Sequence, residues 1–96
     1  MSYEVRLGTR AVRQVGKLDP QIRKTVESRM RKSLALNPYE YPLLSGKYSQ
    51  LRKLAFSTAG GEFRVIYTVR ESKKRVVILF LGSRENFYNE LQRYLG

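Results

Sequence analysis

Hydrophobic and polar residues alternate at the start of the chain. Tyr3, Val5 and Leu7 are interleaved with Glu4 and Arg6, and a period of two predicts a strand with one buried face. After Gly8 the spacing changes. Ala11, Val12, Val15 and Leu18 recur at helical intervals, with Thr9 in the N-cap position and Gly16 keeping the helix short. Asp19-Pro20 opens a second helix, since Asp accepts a bond from an unpaired backbone N–H and Pro fits the first helical position. Ile22, Val26, Met30, Ser33 and Leu34 lie along one stripe of it, and Arg23, Lys24, Arg29, Arg31 and Lys32 on its other face. Asn37-Pro38 closes it, because a residue before Pro is pushed out of the helical region. The very short link between the two helices predicts a helical hairpin.

Residues 38–49 hold Pro38, Pro42 and Gly46 among Tyr and Leu, which predicts an ordered loop crossing the domain. Three strands are expected next, over 50–56, 62–70 and 75–82. In the second, Phe63, Val65, Tyr67 and Val69 alternate with Arg64, Ile66, Thr68 and Arg70. Gly60-Gly61 permits the turn before it and Glu71 to Lys74 the turn after it. The run Val76 to Leu81 is apolar on both faces, as in a central strand covered on both sides. Phe87, Leu91 and Leu95 then mark a short C-terminal helix within 84–95. The order β-α-α-β-β-β-α predicts one α+β domain over 1–96, its hairpin on one face of a small antiparallel sheet. The other face is expected to be partly open and to form a concave basic surface.

Charge sharpens this picture. The chain carries 19 Lys and Arg against 8 Asp and Glu, a net charge of +11 over 96 residues. So much self-repulsion suits a polyanion partner: nucleic acid first, an acidic protein second, an anionic membrane surface a distant third. The sequence has no Cys and no His. Disulfides, thiolate zinc sites and His-based acid–base pairs are therefore excluded, and no cofactor or metal is expected. The N-terminal residues lack an apolar signal region, and the longest apolar run is far too short for a membrane span. A cytoplasmic protein is expected.

Without a P-loop or paired catalytic carboxylates, phosphodiester cleavage of RNA is the chemistry that survives. The substrate's own 2′-OH can be the nucleophile. The protein need only place the chain, move protons and stabilise charge at phosphorus. Arg and Lys serve the last task, and a Tyr beside cations can handle protons. Candidates are Arg52 and Lys53 on the first of the three strands, Arg64 and Arg70 on the next, and Arg84 with Tyr88 after the last. Arg64 alternates with the large apolar residues and so is expected on the open face. Arg23, Lys24, Arg31 and Lys32 read equally as a solvated helix face or as a ribosomal RNA contact.

Several segments in order resemble the RelE/ParE toxin superfamily. They are Tyr-Glu-Val-Arg-Leu at 3–7, Lys-Leu-Asp-Pro-Gln-Ile-Arg-Lys at 17–24, Asn37-Pro38, Pro-Leu-Leu-Ser-Gly-Lys at 42–47, Phe-Arg-Val-Ile-Tyr at 63–67, and Leu-Gly-Ser-Arg-Glu-Asn-Phe-Tyr at 81–88. The likeness spans nearly the whole chain. It implies a type II toxin–antitoxin toxin. The RelE branch is a ribosome-dependent endoribonuclease that cleaves messenger RNA in the A site. The ParE branch inhibits DNA gyrase. A cognate antitoxin, acidic in its toxin-binding segment, is implied as partner, and is expected to cover the sheet edge or pack beside the C-terminal helix.

Carried over by position, Arg64 matches the strand arginine that contacts the scissile phosphate. Arg84 matches the arginine that stabilises the transition state or leaving group, and Tyr88 the tyrosine that acts as general base or stacks on a base. Lys53 falls near the first of two strand lysines, and Ala55 stands at the second. Residues 57–62 read as a longer turn than the family's, and no His precedes the terminal Tyr. Three readings follow: a messenger RNA endonuclease, a gyrase-directed toxin, and a binding module that keeps the basic face without cleavage.

Overall fold

The computed structural model describes residues 2–96. Their order is β1 (Glu4–Leu7), α1 (Thr9–Gly16), α2 (Pro20–Leu36), β2 (Arg52–Thr58), β3 (Gly61–Arg70), β4 (Arg75–Gly82) and α3 (Phe87–Leu95). The predicted α+β order is the observed one.

Asp19 caps α2 by accepting a hydrogen bond from the Gln21 N–H at 3.0 Å, with Pro20 in the first turn. At α1 the cap is Gly8, not Thr9, and no side chain supports it. Gly8 donates to the Ile78 carbonyl at 2.7 Å, so the chain turns from β1 into α1 against the sheet itself. A Cβ at Gly8 would lie 3.1 Å from that carbonyl oxygen. In α1 only Ala11 and Val15 are buried, and Val12 is 54% exposed. The apolar stripe is narrower than its spacing suggests, because α1 is docked along a single line of side chains.

The sheet runs β1-β4-β3-β2. The β2–β3 and β3–β4 pairs are antiparallel, but β1 joins β4 in parallel, so the sheet is mixed rather than wholly antiparallel. A strand returning to β1 after the helical hairpin and two further strands is free to run either way. The β2–β3 turn is also tighter than the sequence suggests. Thr58 pairs with Gly61, leaving Ala59 and Gly60 as a two-residue connection, with Gly61 at φ +108°.

Between Ile66 and Tyr67 the β3–β4 register shifts: Ile66 faces Phe80 and Tyr67 faces Ile78, so Leu79 is an extra residue in β4. Val76, Ile78 and Leu81 consequently join the core under the helical hairpin, with Val26, Met30, Leu34, Phe63, Val65 and Tyr67. Phe80 turns to the other face, where it packs with Ile66, Phe87 and Leu91. The predicted double-sided burial of β4 is thus observed, and α3 covers part of the face expected to be open.

The loop 38–49 is tied down. Tyr67 Oη donates to the Pro38 carbonyl at 2.6 Å, and Leu44 packs in the second core. Pro42 and Leu44 hydrogen-bond along the start of β2. The outer edge of β1 is guarded by α2: Tyr3 N–H reaches the Ala35 carbonyl and Arg31 Nη1 the Val5 carbonyl, both at 2.8 Å. No helix among the described residues is long and apolar enough to cross a membrane.

Candidate functional site

The face of the sheet away from the hairpin carries the even residues of β3. Lys53 of β2 stands opposite Ile66, and Ala55 and Gly82 flank Arg64 on either side. Lys53 and Arg64 are therefore diagonal neighbours on one face. Gly82 leaves room for α3 to begin there: a Cβ on it would lie 3.2 Å from the Phe87 ring. Phe87 is buried against Phe80 at 5.4 Å between ring centroids, which fixes its neighbour Tyr88 above the cations.

These placements converge. Lys53 Nζ donates to Tyr88 Oη at 3.0 Å. The Arg64 guanidinium lies 5.7 Å from the Tyr88 ring centroid and 6.0 Å from that of Phe87. Arg64 is also ion-paired with Glu62 at 3.0 Å, its side chain 26% exposed and that of Glu62 55%. Tyr88 itself is 42% exposed. The result is an ammonium and a guanidinium aimed at one accessible phenol. Such a set can bind a phosphate and move a proton within hydrogen-bond reach of it.

Arg84 lies in the turn between β4 and α3 and lines a cleft of about 290 Å³ with Gly82, Ser83 and Phe87. Phe87 is common to the cleft and to the Arg64 environment. The structure thus brings Lys53, Arg64 and Tyr88 into contact, and sets Arg84 at an adjoining opening.

The other sequence candidates lie elsewhere. Arg52 is opposite Tyr67, on the hairpin side, and its Nη1 donates to the Tyr41 and Tyr39 carbonyls at 2.6 and 3.2 Å. Arg70 shares a face with Arg64 but is six residues further along β3, roughly 20 Å away. Lys24 and Lys32 are exposed on α2, Arg31 holds the Val5 carbonyl, and Arg23 is half-buried with its Nε unpaired. Glu62 and Gln14 were not among the candidates. Glu62 precedes Arg64 by two strand residues, a spacing that places both on one face. Gln14, whose Oε1 accepts from the Leu81 N–H at 2.8 Å, has no such signal.

At the opposite end of the sheet a carboxylate dominates. Glu71 Oε1 accepts from Tyr3 Oη at 2.8 Å and from Tyr39 Oη at 2.6 Å, and Glu71 Oε2 pairs with Lys74. The Lys74 ammonium, followed by the two phenols, holds the Glu71 carboxyl down at about 2. The hydrogen bond to Glu71 in turn pushes the Tyr39 phenol up to about 12.

Comparison with known proteins follows this geometry. Residues 5–92 match the model of the ParE-like toxins of type II bacterial toxin–antitoxin systems, and the chain belongs to that family. No curated protein matches the chain in sequence. Among solved structures, the toxin–antitoxin complex RelBE2 of Mycobacterium tuberculosis aligns at a TM-score of 0.78 and 26% identity, over 88% of this chain and 93% of that one. A mutant of the E. coli toxin RelE in the free state aligns at 0.73 and 21% identity over 100% of both chains. The same kind of RelE mutant bound to an antitoxin RelB peptide aligns at 0.68 and 24% identity over 95% of both. The protein is a toxin of a type II system with the RelE/ParE fold.

Proposed function

We propose that the protein is a ribosome-dependent endoribonuclease that cleaves messenger RNA in the A site and so stops translation. The contact of Lys53, Arg64 and Tyr88 on one accessible sheet face carries this reading. The 2′-oxygen of the substrate attacks phosphorus, the bond to the 5′-oxygen breaks, and a 2′,3′-cyclic phosphate and a 5′-hydroxyl result. Arg64 faces the negative charge that builds on the phosphate oxygens. Tyr88, oriented by the Lys53 ammonium, handles the proton lost by the 2′-hydroxyl. Arg84 stabilises the charge on the departing 5′-oxygen, which takes its proton from solvent to become the 5′-hydroxyl. Preorganised donors at developing charge are worth about 10²–10³ in rate each. A cognate antitoxin, acidic where it meets this +11 chain, is the second partner.

The test is expression in growing cells with primer extension on translated messages. Defined cleavage within codons is expected from the wild-type chain, and none from Tyr88→Phe combined with Arg84→Ala. Full toxicity from that double variant would defeat the reading. Intact messages with trapped gyrase–DNA cleavage complexes would replace it with the gyrase-directed one. One observation favours a binding module without cleavage: Glu62 already occupies Arg64 at 3.0 Å. Ribosome binding that falls steeply with salt, without cut messages, would select that reading.

A further inference from the structure

β1 ends at Leu7, opposite Ile78, so the last residues of β4 have no strand on that side. α1 stands along this edge instead, and its Gln14 side chain takes the Leu81 N–H. Between α1 and α3 the edge is the floor of the cleft that holds Arg84. A second compartment adjoins the first. Their volumes are about 290 and 280 Å³, and both are lined by Arg10 and Glu90.

The chemistry of this groove is one-sided. Arg10, Lys17, Arg84 and Arg93 line it against one carboxylate, Glu90. It also holds one accessible π-surface, the Tyr94 ring, backed by the buried Phe80. Phe80 and Tyr94 stack at 5.5 Å with 22° between planes, and the Arg10 guanidinium lies 5.7 and 5.2 Å from their centroids. Tyr94 is 39% exposed. Cations tracking a backbone beside aromatic and guanidinium planes are the means by which proteins hold single-stranded nucleic acid. An acidic peptide would use the charge but not the planes.

We infer that this groove binds the two nucleotides on the 3′ side of the scissile phosphate. This rests on the cleavage reading above, which sets Arg84 at the departing 5′-oxygen. That oxygen belongs to the downstream nucleotide, and Arg84 lines the first compartment. The downstream strand then runs past Arg10 toward Tyr94 and Arg93. Each compartment takes one nucleotide, with its base against the Arg10–Tyr94 stack in the second.

The experiment uses the full chain and fluorescent oligoribonucleotides made uncleavable by one 2′-deoxy residue at the attacking position. Anisotropy is read at low salt as nucleotides are added on either side. Each of the first two 3′ additions is expected to tighten binding about tenfold, as stacked bases do. Arg10→Ala with Tyr94→Leu should erase that gain, and Arg93→Glu, an exposed helix change, should erase the second step. Each lost phosphate contact should lower the salt slope by about 0.7. Lys73→Ala, at the far turn, removes the same single charge as Arg10→Ala, and Lys73→Glu the same two as Arg93→Glu; both should keep the gain. Absence of any 3′ gain, a gain indifferent to Arg10 and Tyr94, or an oligoglutamate peptide binding where RNA does not would each overturn the inference. Cleavage that still needs Arg64, with downstream nucleotides indifferent to Arg10, overturns the groove alone. Intact messages in cells, with no RNA bound, overturn the groove and the cleavage reading together.

Discussion

The two ends of the sheet use the same residue types for opposite ends. At the β3–β4 turn, Tyr3, Tyr39 and Lys74 converge on Glu71. Nearby, Arg52 is spent on the Tyr39 and Tyr41 carbonyls. At the β4–α3 end, Lys53, Arg64 and Tyr88 converge on one another, with Glu62 the carboxylate paired to Arg64. The first cluster satisfies its charges internally and locks a loop. The second has two cations to one carboxylate, with Lys53 held only by the accessible Tyr88 phenol, and this surplus of positive charge suits a polyanion. Tyrosine and arginine are thus no index of function in this chain. What their hydrogen bonds already hold is the better guide.

The contrast can be broken by substitution. Arg64→Ala is expected to give the largest effect, cutting the rate of message cleavage by about 10²–10³ with little change in melting temperature. Arg52→Ala should do the reverse, lowering the melting temperature while each folded molecule cleaves normally. Cleavage assays beside thermal melts decide this, and equal loss of activity from the two would erase the distinction. Next comes Tyr88→Phe, expected to slow cleavage about 10²-fold. Lys53→Met should add little once the phenol is gone, because the two act through one hydrogen bond.

Stability effects are smaller. Arg31→Met leaves the Val5 carbonyl unpaired at a part-buried edge and is expected to cost about 1 kcal/mol, read by urea unfolding. Glu71→Gln should lower the melting temperature by only a few degrees, and its signature is in the pH dependence. The carboxyl titrates at about 2 in the fold against 4.5 as its ordinary value. The stability it supplies is therefore complete above about pH 4.5 and is lost as the pH falls towards 2. Wild-type and Glu71→Gln melting curves should converge over that interval. A difference that persists unchanged at pH 2 would show that Glu71 does not act through its charge.

Local rules made much of this legible in the sequence. Asp19-Pro20, the Phe63 to Val69 alternation and the double-sided run Val76 to Leu81 announced α2, β3 and β4, because a cap and a period are properties of neighbouring residues. The direction of β1 was not legible, since a parallel partner 71 residues along the chain leaves no local trace. Thr9 failed as a cap because Gly8 is held by the Ile78 carbonyl across the fold. For the site, alternation placed Arg64 on its face, the chemistry left without His or Cys put Arg84 and Tyr88 among the candidates, and family likeness implied their roles. That Lys53 touches Tyr88 across 35 residues, while Arg52 beside it faces the other way, depends on strand parity. A one-residue uncertainty at 52–55 exchanges their roles.

The extra residue Leu79 has a consequence for how this chain can be altered. Because it offsets β4 by one position, the strand is two short segments in opposite phase. Ile78 and the residues before it belong to the stable core, while Phe80 and Gly82 answer to Arg64 and Phe87. The bulge works as a joint between a closely packed chassis and a replaceable head. Changes in length after Leu79 can re-aim Arg84 and Tyr88 without disturbing the pairing of β1 with Arg75 to Ile78. Deleting Leu79 itself would leave Phe80 directly after Ile78, still on the far face by simple alternation, so the pairings of both halves survive and only the local bend that aims the head is lost.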